Sequence, residues 1–412
     1  MKILHFLPDN HAWGGIEVYL NCTLPLLQQQ GYQISAAVTE GGRLAERLRA
    51  AGVKVYGLPT HIHTPLLRVL DFRVLSSLLN ILKEEQPDLV HIHKGRVEQS
   101  LIRRAGFPMV YTYHSYGGPN NLENAPNSLL RFLYGCSRPL LRNLTPSLSG
   151  MLVVSDYERQ RLYREGFLPR EFQAEVLYNG LPTEEMIASV RDLDRNAIRQ
   201  ELNIPANARV ISFICRLMPD KNASAFLRIA RRLLNDPRRT VPIYFLVAGN
   251  GKQTEEFQAA FSQDPLLSQH GQYLGFRSDV PRLIIASDVT VSTSLQEGFG
   301  LRVLESMLFG RPCVTYAAGG IPEVMGLPEG QDWLVPVGDE DAFVDRLLQV
   351  IHRSDTDLAA LTPILQAHGK RFDVSHHVLQ LSQFYQRVAN NLQANQAKTG
   401  RTQPIRSSEC GA

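Results

Sequence analysis

Short apolar runs alternate with amphipathic helical stretches along nearly the whole chain, and they do so in two series. The first series has strand candidates at Lys2–Leu7, Gln33–Val38, Lys54–Leu58, Leu89–His93, Met109–His114, Met151–Ser155 and Glu175–Tyr178. Between them, Glu17–Gln30, Leu44–Ala51, Arg73–Glu85 and Tyr157–Gly166 carry apolar residues at helical spacing. Strands separated by helices must pair in parallel, because a parallel neighbour needs a crossover connection. Asn179-Gly180 then marks a turn, and Leu181–Ala206 reads as a charged helix with a short connection. The second series follows at Arg209–Cys215, Ile243–Ala248, Gln272–Leu274, Asp288–Ser292, Cys313–Tyr316 and Trp333–Pro336. The pattern predicts an α/β protein with two parallel-sheet domains, at residues 1–183 and 205–370. Ligands of such sheets sit at the carboxyl ends of the strands. A last helix, Arg371–Val388, has apolar positions Val378, Leu381, Phe384, Tyr385 and Val388 that need a partner, and residues 371–390 are expected to cross back to the first domain. Residues 391–412 are polar and patternless, and disorder is expected there.

Composition narrows the class. Of 412 residues, 44% are hydrophobic and 20% charged, which are globular values. A net charge of +3 is too small to argue for nucleic acid, and none is expected as a partner. Five scattered cysteines without a C-x-x-C pair predict reduced thiols in a cytoplasmic protein with no zinc site. The first apolar run, closed by Pro8 and Asp9, reads as a strand and not a signal peptide, and no apolar run is long enough to span a membrane. Asn127–Leu144 combines Arg131, Arg138 and Arg142 with leucines and aromatics. It suits either peripheral contact with a membrane surface or a helix pair broken at Pro139 and packed on the sheet.

The stretch with the most chemistry is Ser294–Val314. Glu297 and Glu305 flank a Gly298-Phe299-Gly300 turn, a strand precedes it, and Leu301, Leu304, Leu308 and Phe309 follow at helical spacing until Gly310. A strand, a glycine turn and a helix together present free amides and a positive helix end, which suit a phosphate. Carboxylates beside an anion site make sense when they accept hydrogen bonds from hydroxyls, so the pair suggests a nucleotide sugar. The alternative is that Glu297 caps the helix and Glu305 is a solvated surface charge.

Other residues gather at the same predicted edges. In the first half they are Gly14 and Gly15 after the first strand, His91, His93, Lys94 and Arg96 after the fourth, and His114 with Ser115 after the fifth. His91 reads as a core histidine, whereas His114 is better placed for function. In the second half, Arg216 and Lys221 flank a turn with Pro219 and suit a diphosphate. Gly249-Asn250-Gly251, Phe276-Arg277 and the turn of Ala317–Val324, with Glu323, lie at the ends of further strands. Phe276 could stack on a base. The Asp-x-Asp pairs at Asp192–Asp194 and Asp355–Asp357 follow no apolar strand and read as solvated charges, so no metal is expected.

With these residues in place, residues 1–390 resemble the family-4 retaining glycosyltransferases, which have the GT-B fold of two facing Rossmann-like domains. The resemblance is carried, in the family's order, by GGIE at Gly14–Glu17, PDLVHIH at Pro87–His93, YTYHS at Tyr111–Ser115, VVSDYERQRL at Val153–Leu162 and YNG at Tyr178–Gly180. It continues through RLMPDK at Arg216–Lys221, AGNG at Ala248–Gly251, TSLQEGFGLRVLES at Thr293–Ser306 and GGIPE at Gly319–Glu323. It implies that Arg216 and Lys221 bind the donor diphosphate, aided by the amides of Gly15 and of Gly300–Leu301, with Gly14, Gly298 and Phe299 also counted as donor-binding. Glu305 would hold the ribose, Glu297 and His114 the transferred sugar, and Asn250, Phe276 and Arg277 the base. The implied activity is transfer of a hexose from a nucleoside-diphosphate sugar to a glycan or lipid-linked acceptor, in cell-surface polysaccharide or lipopolysaccharide synthesis, without a metal or other cofactor. The donor base and sugar stay open between UDP-hexose and GDP-mannose. A nucleotide-sugar 2-epimerase of the same fold and a non-catalytic binding subunit are the alternatives. Two positions depart from the family: Asn222 stands where glycine is usual, and Leu181-Pro182 follows Asn179-Gly180.

Overall fold

The structure, a computed structural model, describes residues 1–8, 13–59, 72–95, 97–114 and 147–399. Contacts divide the chain into two compact units, Met1–Leu181 with Val374–Ala412, and Pro182–Asp373.

In the first unit, seven strands form one sheet: β1 (Lys2–Leu7), β2 (Gln33–Thr39), β3 (Lys54–Leu58), β4 (Leu89–Ile92), β5 (Met109–Tyr113), β6 (Gly150–Val153) and β7 (Glu175–Val176). Their order is β3-β2-β1-β4-β5-β6-β7, and every pairing is parallel. The order reverses between β1 and β4, which makes a crevice at the carboxyl ends of those two strands. Both sheet faces are covered, so the strands are apolar on both sides. Ile3 and Leu7 of β1 join one core with Tyr19, Leu20, Leu24 and Leu27 of the Gly15–Gln29 helix. Leu4 and Phe6 point the other way, into a core with Val74, Leu78, Ile81 and Leu82 of the Phe72–Glu85 helix. The Val97–Arg104 helix was not marked by the sequence pattern, because its eight residues are mostly polar.

The terminal helix belongs to this unit. Val378, Leu381, Phe384, Tyr385 and Val388 are all buried in the core that contains Ile3 and Leu7. Each such side chain contributes about 1.5–3 kcal/mol by leaving water. Polar contacts fix the helix as well: Tyr32 Oη lies 2.7 Å from Ser382 Oγ, and a ring nitrogen of His377 lies 2.7 Å from the Tyr178 carbonyl. The helix spans Val374–Thr399, so the expected start at Arg371 is corrected, as is the expected disorder over residues 391–399. Lys370–Phe372 is a separate 3₁₀ turn. Beyond Val388, Leu392 extends the apolar stripe by one turn, and Ala, Gln and Lys are good helix formers.

In the second unit, six parallel strands, β8 (Arg209–Ile214), β9 (Ile243–Ala248), β10 (Gly271–Tyr273), β11 (Val289–Ser292), β12 (Cys313–Tyr316) and β13 (Leu334–Val335), lie in the order β10-β9-β8-β11-β12-β13. The reversal here falls between β8 and β11. At the opposite edge, buried Asp288 accepts hydrogen bonds from the Val210 amide at 2.7 Å, Arg199 at 2.7 Å and Arg195 at 2.5 Å, with Arg209 at 3.3 Å. This network ties the entry of β11 to β8 and to the helices before it.

The connection after residue 181 holds two helices, Thr183–Val190 and Arg195–Glu201, instead of one. Asp194 breaks the run by capping the second, accepting from the Asn196 and Ala197 amides. The other Asp-x-Asp pair is also structural: Asp357 forms a capping box with Ser354, and Asp355 pairs with Arg209. Neither pair is a set of merely solvated charges. Arg96, Ser115, the Asn127–Leu144 segment and residues 400–412 lie outside the described residues. Among the described residues no helix is long and apolar enough to cross a membrane.

Candidate functional site

The candidate residues of the second unit are strung along the carboxyl edge of its sheet in the order of the strands. Phe276 and Arg277 follow β10, Asn250 follows β9, Arg216 and Lys221 follow β8, Glu297 follows β11, and Gly319 follows β12. The reversal between β8 and β11 brings the Lys221 and Glu297 loops side by side. Thr293 Oγ1 donates to the carbonyls of Lys221 and Asn222, both at 3.0 Å, and the Leu295 amide donates to the Asp220 carbonyl at 2.9 Å. Sequence reasoning passed over Thr293 and Asp220. Their signal was a hydroxyl at the end of a strand flanking the reversal.

Lys221 Nζ lies 2.6 Å from Glu297 Oε1 and 3.3 Å from Asp220 Oδ2. Ser294 Oγ donates to the same Glu297 oxygen at 2.9 Å. Glu297 is therefore neither a helix cap nor a free surface charge. Burial disfavours the charged form of Lys221, but Glu297 and Asp220 outweigh it, so its pKa stays above the usual lysine value. Arg216 differs: it is exposed, and its guanidinium has no hydrogen-bond or ion-pair partner among the described residues. The two cations thus offer an inner, anchored ammonium and an outer guanidinium. Cys215, just before Arg216, is inert, since burial pushes its thiol up to about 12.

Asn222 explains its own departure from the family. It has φ 51° and ψ 49°, the left-handed conformation, where asparagine is the residue that best replaces glycine. The loop shape is kept.

Beyond Glu297, Gly300 at φ 103° opens the Leu301–Leu308 helix. Among the described residues the amides of Gly300, Leu301 and Arg302 make no backbone hydrogen bond, so they are available to an anion. Phe299 is different: its ring is buried edge-on against Phe372, which leaves only its backbone for a ligand. Glu305 lies one helical turn on and pairs with Arg302, a partner the sequence reading did not single out. Gly319, at φ 59°, braces the loop from below: a Cβ there would stand 1.8 Å from the Glu297 carbonyl oxygen, and the Gly320 amide donates to that oxygen at 3.0 Å.

Towards β10, Phe276 is 61% exposed, a free ring face at the far end of the row. Arg277 is clamped by Asp279 through two hydrogen bonds of 2.7 and 2.6 Å, so it shapes the turn that carries Phe276. Asn250 is exposed, and its carbonyl accepts from the Leu217 amide at 2.9 Å, tying it to the Arg216 loop.

In the first unit, Gly14 caps the Gly15–Gln29 helix, and its amide donates to Glu17 Oε2 at 2.9 Å. That amide is engaged, while Gly15 is exposed at the first turn. His114 directly follows β5, and its Nε2 lies 3.0 Å from His93 Nδ1. His91 is buried between Tyr385 and Thr112, as expected of a core histidine. The sequence reading missed His5, which faces His91 in the register of β1 and β4. The sign was a histidine at matching positions of two strands flanking a reversal. His5, His91 and His93 place ring nitrogens within 4.8 Å of one another, a set that could hold a metal ion. The stacked rings, the His5–His93 hydrogen bond and the bonds of His91 to Tyr385 and Thr112 suit a hydrogen-bonded string better than a shared ion.

Residues 194–360 match the family model described as Glycosyl transferases group 1, and residues 13–185 match Glycosyltransferase Family 4. The UDP-Gal:alpha-D-GlcNAc-diphosphoundecaprenol alpha-1,3-galactosyltransferase of Escherichia coli is 26% identical over 79% of this chain and 81% of its own length. The D-inositol 3-phosphate glycosyltransferase of Corynebacterium glutamicum is 23% identical over 96% of each. Among solved structures, Anabaena Alr3699/HepE in complex with UDP-glucose superimposes with a TM-score of 0.71 at 21% identity, covering 94% of this chain and 99% of that one. WaaG, a glycosyltransferase involved in lipopolysaccharide biosynthesis, superimposes with a TM-score of 0.70 at 15% identity, covering 93% and 99%. With the motif order, the two parallel sheets and both family matches in agreement, the chain belongs to the group 1, family-4 glycosyltransferases of the GT-B fold.

Proposed function

We propose that the chain is a retaining transferase that moves a hexose from a nucleoside-diphosphate sugar to a glycan or lipid-linked acceptor, in synthesis of a cell-surface polysaccharide or lipopolysaccharide. One observation supports this reading most: Lys221 and Glu297 are in contact at the reversal of the second sheet, with Arg216 on the loop of the one and the free amides of Gly300–Arg302 just after the other. Arg216, Lys221 and the helix end stabilise the departing diphosphate. Glu297 accepts from a sugar hydroxyl, Glu305 from the ribose, and Phe276 stacks on the base. His114 meets a substrate hydroxyl. The bond from the anomeric carbon to the diphosphate breaks as the acceptor oxygen bonds to that carbon on the same face. The acceptor's proton passes to the departing phosphate oxygen. Two cations supply the charge stabilisation that a divalent metal would otherwise give, so no metal is required.

UDP is the favoured donor base, because the Escherichia coli relative is named for UDP-galactose and the Anabaena structure contains UDP-glucose. The enzyme is placed in the cytoplasm, at the inner membrane face when its acceptor is lipid-linked, and the arginines of Asn127–Leu144 would contact the lipid there.

The test is a donor screen with UDP-galactose, UDP-glucose, UDP-N-acetylglucosamine and GDP-mannose. It would read thermal stabilisation and slow hydrolysis with and without EDTA, beside Arg216→Ala and Glu297→Ala. One donor should stabilise the wild type, be hydrolysed in EDTA to the retained anomer, and lose turnover in both variants. Loss of activity in EDTA overturns metal independence. Release of an epimerised sugar overturns the transferase reading. Unchanged co-sedimentation with anionic vesicles after Arg131, Arg138 and Arg142 are replaced by Gln removes the membrane contact.

A further inference from the structure

The first unit contains a continuous buried string of hydrogen bonds that ends at His114. Tyr385 Oη, from the terminal helix, lies 2.5 Å from His91 Nδ1 and 3.5 Å from His5 Nε2. His5 Nδ1 lies 3.0 Å from His93 Nε2, and His93 Nδ1 lies 3.0 Å from His114 Nε2. His91 Nε2 closes the other end at Thr112 Oγ1, 2.6 Å away. His114 Nδ1 has no hydrogen-bond partner among the described residues.

Burial pushes His5 and His114 down to about 3 and holds His91 and His93 well below the usual histidine value. Each ring is therefore neutral near pH 7, with one N–H and one lone pair. In such a string the tautomers are not independent: the direction of one bond sets the next. Tyr385 sets the direction. Its phenol is a stronger acid than the Thr112 hydroxyl, and its one proton goes to the near nitrogen, His91 Nδ1. His91 Nε2 then donates to Thr112. The Tyr385 oxygen is left to accept from His5 Nε2–H. His5 Nδ1 must accept from His93 Nε2–H, and His93 Nδ1 must accept from His114 Nε2–H.

We propose that Tyr385, His5 and His93 are positioning residues, a relay that holds His114 as its Nε2–H tautomer and leaves the Nδ1 lone pair as an acceptor for a substrate hydroxyl. This rests on the reading of His114 as a substrate-facing residue. It goes beyond that reading by assigning the direction of the hydrogen bond and the residues that impose it. The terminal helix thereby acquires a role in the site's chemistry in addition to its packing.

The experiment is long-range ¹H–¹⁵N correlation on the full chain labelled at histidine, read at pH 7.5, with steady-state kinetics on the same variants. The wild type should show His114 protonated at Nε2 and bare at Nδ1. Tyr385→Phe leaves His5 Nε2–H without an acceptor, which favours the reversed string, so His114 should shift to the Nδ1–H form. His93→Leu should release the tautomer, and His93→Asn, whose amide oxygen stands near the old Nδ1, should restore it. In Tyr385→Phe and His93→Leu, kcat should fall about tenfold or more, the worth of one hydrogen bond, at unchanged donor KM, with recovery in His93→Asn. Unaltered UDP affinity shows that the donor-binding unit is intact in each variant. An Nδ1–H form of His114 in the wild type, or one tautomer common to the wild type, Tyr385→Phe and His93→Leu, overturns the relay. Wild-type turnover in His114→Ala would instead overturn the substrate-facing reading, and the spectra would still decide the tautomer.

Discussion

Lys221 Nζ and Glu297 Oε1 are 2.6 Å apart, so the cation assigned to the diphosphate and the carboxylate assigned to the sugar are partners of each other. Their side chains are 14% and 23% exposed, which screens the pair only partly. Each residue also holds the other in place for its ligand.

The first prediction is that the two act as one unit in catalysis. Lys221→Ala and Glu297→Ala should each lower kcat/KM by about 10²–10³, the usual loss for one group stabilising developing charge. The double variant should lose little more than the worse single one. A double-mutant cycle on kcat/KM should give a coupling close to the smaller single loss, about 3 kcal/mol or more. Additive losses, with coupling below about 0.3 kcal/mol, would show that the pair is incidental.

Asp288 is the second case, far from the ligand edge. It is almost fully buried and faces Arg195, Arg199 and Arg209, while burial and the neighbouring Arg195 push Arg311 down to about 10. Burial alone would raise the Asp288 pKa, but Arg195 and Arg199 outweigh it and hold it below the usual range. Asp288→Ala strands a cluster of guanidinium groups and should destabilise the second unit by about 3–5 kcal/mol in urea unfolding. Asp288→Asn keeps an acceptor for the Val210 amide and should lose less. Equal stability of Asp288→Ala and wild type would show that the arginines solvate themselves.

The third prediction concerns acid. His5 and His114 are pushed down to about 3 and His377 to about 4, all by burial, against about 6.5 in an unfolded chain. Between these values the unfolded chain binds protons that the folded one does not. Their contribution to stability is thus complete above about pH 6.5 and is lost as pH falls towards the folded values. Each group adds about 1.4 kcal/mol per pH unit to the slope. Unfolding followed from pH 7.5 to 5.5, above the range of ordinary carboxylates, should show a marked loss, and His377→Asn should flatten it by about one group. A level profile over that window would contradict neutral buried histidines.

Much of this was legible in the sequence, for reasons that differ by level. All thirteen strands of the described residues overlap the runs marked by apolar periodicity, because parallel strands buried on both faces leave an unmistakable signature. Val378, Leu381, Phe384, Tyr385 and Val388 were readable as a buried stripe for the same reason. The Lys221–Glu297 contact was not readable, since it joins loops 76 residues apart and depends on which strands flank the reversal. The histidine string failed for a related reason: His5 and His91 are neighbours only through strand register, and Tyr385 reaches them from the far end of the chain. Asn222 was counted as a departure, and only its backbone angles show that the loop tolerates it.

Gly319 provides the last prediction, because it separates the shape of the site from its charges. Its φ of 59° disfavours any side chain, and a Cβ would lie 1.8 Å from the Glu297 carbonyl oxygen, a contact with backbone that no rotamer relieves. Gly338 has a similar φ of 88° but nothing within 4 Å of its Cβ. Gly338→Ala therefore isolates the conformational penalty, about 1–2 kcal/mol. Gly319→Ala adds displacement of the Glu297 segment, and with it the Ser294–Glu297–Lys221 hydrogen bonds. Gly319→Ala should lose activity about 100-fold, as misplacement by an ångström does, and Gly338→Ala should keep it. Affinity for UDP alone should fall less than turnover, because Arg216 still offers its charge to the diphosphate while Lys221 loses its Glu297 anchor. If Gly319→Ala retained turnover at the level of Gly338→Ala, the position of Glu297 would not be critical, and its assignment to the transferred sugar would have to be given up.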